Sequence, residues 1–256
     1  NLGAGPNWEH EGWHILDHKI EKNTNFRIKG NLNNINLKNK SCDLVFISHT
    51  LEHIPHIQIQ NVLTEINRIM KKGATIRILV PNLEAIAKAY VKKDKNFFKK
   101  AIDEDHSIRK DLGFGGMLMN FIVSPGQDTI LLDRGLNKFI AGYAHLYAYD
   151  FNMMKILLKK CGFHDIKKKE FCKSKITDFK IPCHIFGKSS KYQNLNNKFY
   201  KKNNLIHKYK NGKYKINFKF TGFDKDPFTS LIIEAKKSIY CKINKSNNIN
   251  FSKKKL

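Results

Sequence analysis

The feature that most constrains the fold is a strand, a helix and a second strand that follow one another closely. Residues 42–48 and 74–80 are almost continuously apolar, which is typical of strands covered on both faces. Between them, apolar residues recur at helical spacing over residues 57–70, and Lys71-Lys72-Gly73 supplies a cationic last turn and a glycine stop. Because this order is typical of parallel strands joined by a right-handed crossover, the sequence predicts an α/β domain.

Four parts are expected along the chain. Residues 1–82 form the first half of the α/β domain, with a short strand at residues 15–17. Residues 83–149 contain helical stretches interrupted by glycines and are too long for an ordinary connection, so a helical lid or substrate cap is expected there. Residues 150–240 are expected to complete the sheet and to carry a lysine-rich hairpin insertion. Residues 241–256 are expected to form a disordered basic tail.

The C-terminal half contains further signals of helices, strands and turns. Asp150 is expected to cap a helix that ends at Cys161-Gly162. Strands are expected around residues 164–171 and 230–235, and Asn211-Gly212 predicts the turn of the hairpin.

Composition narrows the class of protein. The 256 residues are 41% hydrophobic and 27% charged, which indicates a globular protein with a sizeable core. No apolar run approaches the roughly 20 residues that cross a bilayer, so no transmembrane segment is expected. The five cysteines are odd in number and lack any CxxC spacing, which favours a reducing, cytoplasmic setting over a disulfide framework or a zinc knuckle. No sequence pattern specifies the oligomeric state.

The formal net charge of +25 raises an alternative function, a non-catalytic protein that binds RNA or an anionic membrane. Only five of the 47 basic residues are arginine, whereas base and phosphate recognition favours the planar arginine fork. Lysine, asparagine and isoleucine, which have AT-rich codons, are all abundant. We therefore expect solvated surface lysines rather than a nucleic-acid partner.

A glycine-rich turn and an acidic strand end indicate a nucleoside ligand. Gly3-Ala4-Gly5 directly follows the apolar Leu2, where a strand can turn sharply and its backbone can approach a ligand. The next expected strand ends in Asp17, whose carboxylate can accept hydrogen bonds from both hydroxyls of a ribose. The spacing from Gly3 to Asp17 is shorter than the roughly 20 residues of a dinucleotide fingerprint, which disfavours an NAD enzyme.

Six blocks in order resemble the class I, S-adenosylmethionine-dependent methyltransferases, especially predicted bacterial members with SHxLEH and VPDLE blocks. The blocks are NLGAGP, GWHILD, CDLVFISHTLEHI, EINRIMKKGATIRILVPNLEAIAKAY, HLYAYDFNMMKILLKKCGF and DPFTSLIIEAKK, within residues 1–165 and 228–237. The resemblance implies a Rossmann-like seven-stranded sheet of order 3-2-1-4-5-7-6 with helices on both faces. It implies S-adenosylmethionine as cofactor and O- or N-methylation of a small-molecule or glycan-type acceptor, whose identity the blocks do not specify.

The resemblance also implies which residues meet the cofactor. They are Gly3, Ala4, Gly5, Asp17, Asn31, Leu32, Ser48 and His49. The glycines are expected beneath the methionine part, Asp17 at the ribose, Asn31-Leu32 beside the adenine and Ser48-His49 at the sulfonium. Two positions depart from the family pattern: Asn31 stands in place of an acid, and Asn82 in place of the aspartate that follows Pro81.

Methyl transfer from a sulfonium is an in-line displacement, so a base is needed only if the acceptor keeps its proton until attack. The candidate bases are His49, His53, His145 and Tyr149, with Asp150 beside the last. The expected wall of the acceptor site consists of Met117, Asn120, His145 and Tyr147. Core packing or helix capping is the alternative role for each of these side chains.

The segment from His49 to His53 also matches the HxxEH pattern of inverted zincins, but a strand leads straight into it, whereas that zinc site needs a helix. Some methyltransferases of ubiquinone biosynthesis and small-RNA capping carry ExxEH at this place and bind magnesium. Here His49 replaces the first glutamate, and a ring nitrogen suits a hard cation poorly. The sequence therefore predicts no metal site, with Glu52 and His53 bracing the helix that follows.

Overall fold

The computed structural model describes residues 1–5, 8, 10–104, 112–123, 145–181, 206–208, 214–216 and 222–238. The strands are β1 (Ile15–Asp17), β2 (Arg27–Lys29), β3 (Cys42–Ser48), β4 (Met70–Pro81), β5 (Phe163–Lys169), β6 (Ile206–Lys208), β7 (Tyr214–Ile216) and β8 (Ser230–Lys237). The α-helices are α1 (His56–Ile69), α2 (Leu83–Val91), α3 (Lys95–Glu104), α4 (Gly113–Val123) and α5 (Phe151–Lys160). Short 3₁₀ helices cover Leu51–His53 and Asp178–Lys180.

The central sheet has the order β3-β4-β8-β5. β3 and β4 run parallel and are joined through α1, which confirms the predicted α/β unit. β8 lies antiparallel to both β4 and β5. β1 and β2 form a separate parallel pair, and Leu2 makes parallel bridges to Leu16 of β1 and to Ile47 of β3. The first residues of the chain therefore lie between the two sets of strands.

The side chains of β3 alternate between two hydrophobic clusters, as the period of a strand requires. Val45 and Ile47 contact the cluster that contains the buried face of α1, whereas Phe46 contacts a second cluster on the opposite face. The second cluster is rich in aromatic rings, and the Phe46 and Phe223 ring centroids are 5.0 Å apart. Apolar cover on both faces explains why the strand reads as a continuous apolar run.

Two boundaries differ from the sequence expectation. α1 ends at Ile69, and residues 70–73, expected as its last turn and stop, belong to β4. Met70 pairs with Cys42 across a register shift in β3, and Lys71 forms an ion pair with Asp43, so tertiary pairing overrides the local helix-end signal. β2 was not predicted, because three partly exposed residues leave too short a pattern to recognise.

The segment after β4 is helical, as expected. Asn82 caps α2 by accepting a hydrogen bond from the Ala85 amide at 3.2 Å. Helices α2, α3 and α4 share their own apolar cluster, which is separate from the two clusters of the sheet. Residues 105–111 and 124–144 of this segment lie outside the described residues.

The predicted hairpin is present where it is described, since Ile206 pairs with Ile216 in an antiparallel ladder. Its Asn211-Gly212 turn and residues 241–256 lie outside the described part of the chain. Within the described helices, none combines the length and apolarity needed to cross a membrane.

A buried ion-pair network ties the middle of the sheet to the segment before β8. Arg77 of β4 is fully buried and donates to Asp224 through both Nε and Nη2, the Nε bond to Oδ1 being 2.7 Å long. Its Nη1 donates to Glu234 Oε1 of β8 at 2.6 Å. Removing one partner of a buried ion pair lowers the stability of the fold strongly, because the other charge is left buried and unpaired.

We predict that Arg77→Met lowers the free energy of unfolding by about 3–5 kcal/mol, since it strands the buried Asp224 carboxylate. The matched control is Lys88→Met, which removes an exposed pair with Glu84 on α2 and is expected to leave the free energy of unfolding nearly unchanged, because solvent screens the pair. Urea denaturation of both variants measures the difference. Equal decreases in the free energy of unfolding of the two variants would contradict a larger contribution of the buried network.

Candidate active site

Three predicted cofactor segments meet at one edge of the sheets. The Leu2 amide donates to the Phe46 carbonyl at 2.9 Å, and the Gly3 amide donates to the Leu16 carbonyl at 2.8 Å. Gly3 therefore follows a short bridge between β1 and β3, at the level where Asp17 ends β1 and Ser48 ends β3. Ligands of open α/β sheets bind at this kind of edge, beyond the carboxyl ends of the strands.

The two glycines of the turn are needed for different reasons. Both have positive φ, +68° at Gly3 and +75° at Gly5, a conformation that other residues rarely adopt. A Cβ on Gly3 would lie 2.4 Å from Thr50 Oγ1, whereas a Cβ on Gly5 would meet no atom of the described residues within 4 Å. Packing against Thr50 thus explains Gly3, and Gly5 borders open space among the described residues.

Asp17 is 6% exposed and organises this turn. Its Oδ2 accepts from the Gly5 amide and its Oδ1 from the Lys19 amide, both at 2.8 Å. The carboxylate is thereby held beside the glycine turn, where the sequence predicts a ribose. Ala4, between the glycines, packs at the rim of the aromatic cluster.

The predicted adenine neighbours lie just beyond β2. Leu32 is buried in the main core, and Asn31 is exposed. Asn31 Oδ1 accepts from the Asn33 amide at 3.0 Å, so its side chain shapes the local turn. The Gly30 amide donates to the Asp17 carbonyl at 3.3 Å, which keeps this turn next to β1.

The turn after β3 holds His49 in a left-handed conformation, with φ of +46°. Its Nε2 lies 2.9 Å from Ser230 Oγ and 3.5 Å from Asp226 Oδ2, and its Nδ1 lies 3.3 Å from Glu52 Oε1. The Ser48 hydroxyl oxygen is buried and has no hydrogen-bond partner within the described residues. Backbone strain of this kind, together with an unpaired hydroxyl, is typical of functional sites.

A cluster of one carboxylate and several histidines lies behind this turn. Glu52 is 0% exposed, and ligand atoms of Glu52, His53 and His145 all lie within 4.8 Å of one another. The Leu146 and Tyr147 amides donate to the Glu52 carbonyl at 2.7 and 3.2 Å, which brings His145 to the cluster. His145 Nδ1 is 3.0 Å from the Phe121 carbonyl of α4, and the His53 and His145 ring centroids are 5.0 Å apart.

The cluster keeps Glu52 ionised. Burial by itself raises the pKa of Glu52, but the neighbouring His49, with smaller effects of His53 and His145, outweighs it and lowers the pKa to about 2. Burial lowers the pKa of His145, so its ring is neutral at pH 7. Burial, followed by the charges of Glu52 and Tyr147, raises the pKa of Tyr149, so its phenol stays protonated at neutral pH.

The remaining predicted residues divide between this cluster and the helical segment. Tyr147 stacks on His56 with ring centroids 4.0 Å apart, and Tyr149 is fully buried in the main core. Met117 and Asn120 are buried on α4, where Met117 packs in the cluster of the three helices. Asp150 caps α5 by accepting from the Met153 amide at 2.9 Å.

Sequence reasoning missed two features of the site. It treated Glu52 as a brace for the next helix, and it did not include Ser230 or Asp226, which contact His49. No local pattern reports contacts across such distances in sequence, because the antiparallel return of β8 creates them.

Comparison with known proteins agrees with this arrangement. Residues 14–78 match a family described as "Methyltransferase domain". Among curated proteins, no sequence matches the chain. This part of the chain is therefore similar to methyltransferase domains, and S-adenosylmethionine is the cofactor that the match supports.

Solved methyltransferase structures are similar only at low identity. An S-adenosylmethionine-dependent methyltransferase from Thermotoga maritima is 13% identical over 83% of this chain and 64% of its own, with a TM-score of 0.37. One from Archaeoglobus fulgidus is 17% identical over 87% and 75%, with a TM-score of 0.39. One from Methanosarcina mazei is 12% identical over 89% and 82%, with a TM-score of 0.39. The chain spans less than two thirds of the length of the Thermotoga maritima protein.

We predict that the two turn glycines respond differently to alanine. Gly5→Ala is expected to cost about 1–2 kcal/mol of stability, the strain of a left-handed residue. Gly3→Ala adds the collision with Thr50 and is expected to cost about 1–3 kcal/mol more, as overpacking does. Urea denaturation compares the two variants, and a larger loss for Gly5→Ala would contradict the packing role of Gly3.

Proposed function

We propose that the chain is an S-adenosylmethionine-dependent methyltransferase that methylates oxygen or nitrogen of a small-molecule or glycan-type acceptor. The observation that carries the proposal is the Asp17 carboxylate, held against the Gly5 amide at the sheet edge that His49 also borders. This edge offers an acid for the ribose, an open glycine turn for the methionine part and a strained histidine turn for the sulfonium. The three described cysteines are unpaired, which supports the proposed reducing, cytoplasmic setting.

The strand bridges support the seven-stranded order that the resemblance implies. Leu2 bridges β1 and β3, so the succession β2, β1, Leu2, β3, β4, β8 and β5 corresponds to 3-2-1-4-5-7-6. In that order the cofactor would bind over Leu2 and β3, next to the glycine turn. We also propose that the chain has four parts, bounded at residues 82, 149 and 240.

Asp17 has capacity left for a ribose. An ionised carboxylate has about four lone-pair directions, and the Gly5 and Lys19 amides occupy one on each oxygen. The open space at Gly5 leaves room for the methionine part. Asn31 and Leu32 are proposed to border the adenine, with the buried Leu32 supplying the apolar side.

Methyl transfer needs the two reactants held in line and kept from water. An electron pair of the acceptor forms the new bond to the methyl carbon, and the broken carbon–sulfur bond leaves its pair on sulfur as S-adenosylhomocysteine. His49, His53 and His145 are the proposed groups that accept an acceptor proton. A base role for Tyr149 is disfavoured, because its phenol is protonated at neutral pH.

The helical segment is proposed to act as a lid over the acceptor. His145 joins the Glu52 cluster to the Phe121 carbonyl of α4, and this contact supports a link between lid and site. Asn120 Nδ2 is buried without a hydrogen-bond partner among the described residues, as expected of a side chain that awaits a ligand. Tyr147 and Met117 complete the proposed acceptor wall.

We predict that Asp17→Ala weakens binding of S-adenosylmethionine and S-adenosylhomocysteine by about 1–3 kcal/mol, the loss of charge-assisted hydrogen bonds. Titration calorimetry measures both affinities. Asp43→Ala is the matched control, since Asp43 is exposed and pairs with Lys71 away from the glycine turn. Absence of binding by the unmodified chain at millimolar ligand would overturn the proposed function.

We predict that saturating S-adenosylhomocysteine slows amide hydrogen exchange in α2, α3 and α4, because a lid that closes on ligand loses access to water. Mass spectrometry compares exchange with and without ligand. The hairpin strands β6 and β7 serve as the internal reference and are expected to exchange equally in both states. Unchanged exchange in all three helices despite saturation would refute the lid and leave cofactor binding standing.

A further inference from the structure

The Glu52 carboxylate lies at the centre of the site. Methyl transfer does not explain why a carboxylate is buried there. It is fully buried, and neither of its oxygens makes a hydrogen bond of normal geometry to any residue that the structure describes. The His49 Nδ1 atom lies 3.3 Å from Glu52 Oε1. A buried anion is costly unless it is paired, hydrogen-bonded or bound to a metal.

The groups around Glu52 are metal ligands. One atom each from Glu52, His53 and His145 lies within 4.8 Å of the other two, a separation that one cation can bridge. Two segments supply them: Glu52 and His53 come from the 3₁₀ helix after β3, and His145 comes from the segment before α5.

His145 is also oriented as a ligand would be. Its Nδ1 lies 3.0 Å from the Phe121 carbonyl, which can only accept, so Nδ1 carries the proton. The lone pair is then on Nε2, the nitrogen available to a cation. Ligating histidines typically donate their other ring nitrogen to a carbonyl or carboxylate in this way.

We propose that Glu52, His53 and His145 bind one divalent transition-metal cation. Because the cation would take the free lone pairs of His53 and His145, His49 would remain as the proton acceptor of the proposed function. Two imidazole nitrogens and one carboxylate favour Zn²⁺ or Fe²⁺ over the oxygen-preferring Mg²⁺ and Ca²⁺. Three protein ligands leave coordination positions open, which an oxygen of the acceptor can take. The site therefore favours an acceptor with a hydroxyl group, and this last step rests on the proposed function.

The proposal replaces the expectation that no metal binds. That expectation considered the HxxEH pattern, in which His49 and His53 form the ligand pair, and the ExxEH pattern, in which His49 stands in place of the first glutamate. In the structure His49 instead contacts Ser230 and Asp226, and the second histidine is His145, far along the chain.

The test uses the untagged chain, freed of metal by a chelator and titrated with Co²⁺. We expect a visible ligand-field absorption band that rises to one Co²⁺ per chain, is abolished by Zn²⁺ and is unaffected by Mg²⁺. Glu52→Gln and His145→Ala are expected to lower Co²⁺ affinity strongly. The decrease should exceed the roughly 10–100-fold effect of losing a residue that only hydrogen-bonds to a metal ligand. Zn²⁺ should also raise the melting temperature of the unmodified chain but not of Glu52→Gln.

Glu84→Gln and His164→Ala are the matched controls, because both side chains are exposed and lie outside the cluster. They should bind Co²⁺ like the unmodified chain. Equal Co²⁺ affinity in the unmodified chain and Glu52→Gln, or absence of the band, would overturn the site. If Glu52→Gln fails to fold, His53→Gln takes its place in the titration, and a weakened Co²⁺ absorption band is the expected result. Calorimetry with S-adenosylhomocysteine on the metal-free chain separates failure of the metal site from failure of the proposed function.

Discussion

Parallel pairing of β3 with β4 is the constraint on which the rest of the structure depends. The pairing places Val45 opposite Ile76 and Ile47 opposite Ile78, so the same face of both strands meets α1. It continues to the end of β3, where the His49 amide donates to the Leu79 carbonyl at 2.9 Å. The turn that follows is thereby anchored at the edge of the sheet, where the site lies.

That turn contains several polar groups that do not belong to the apolar core. His49 takes a left-handed backbone, Thr50 fills the space that a side chain on Gly3 would need, and Glu52 is carried into a fully buried position. A buried carboxylate and a strained histidine both oppose stability, and apolar packing on the two faces of the sheet offsets them. Strain and buried charge of this kind are tolerated where a ligand uses them, which is why the cofactor and metal proposals meet here.

Several elements could be predicted because their signals are local. The apolar runs of β3 and β8, the helical spacing of α1 and the Asp150 cap of α5 each depend on residues close in sequence. The end of α1 could not, since Lys71-Lys72-Gly73 has the chemistry of a helix end and pairing with β3 draws it into a strand. The strand ends that border the candidate site, at Asp17 and Ser48, could be predicted, whereas contacts between side chains of distant segments could not.

The sequence by itself determined the α/β class, the glycine turn, the acid at the end of β1 and the histidine-rich turn after β3. These follow from residue type and spacing, which act over a few residues at a time. Only the tertiary structure decided that His145 reaches Glu52, that Ser230 meets His49 and that Asp17 holds the Gly5 amide. These contacts join different segments of the chain, and the physical reason is that they form only when the segments have packed together; the contact of Ser230 with His49 further requires the return of β8.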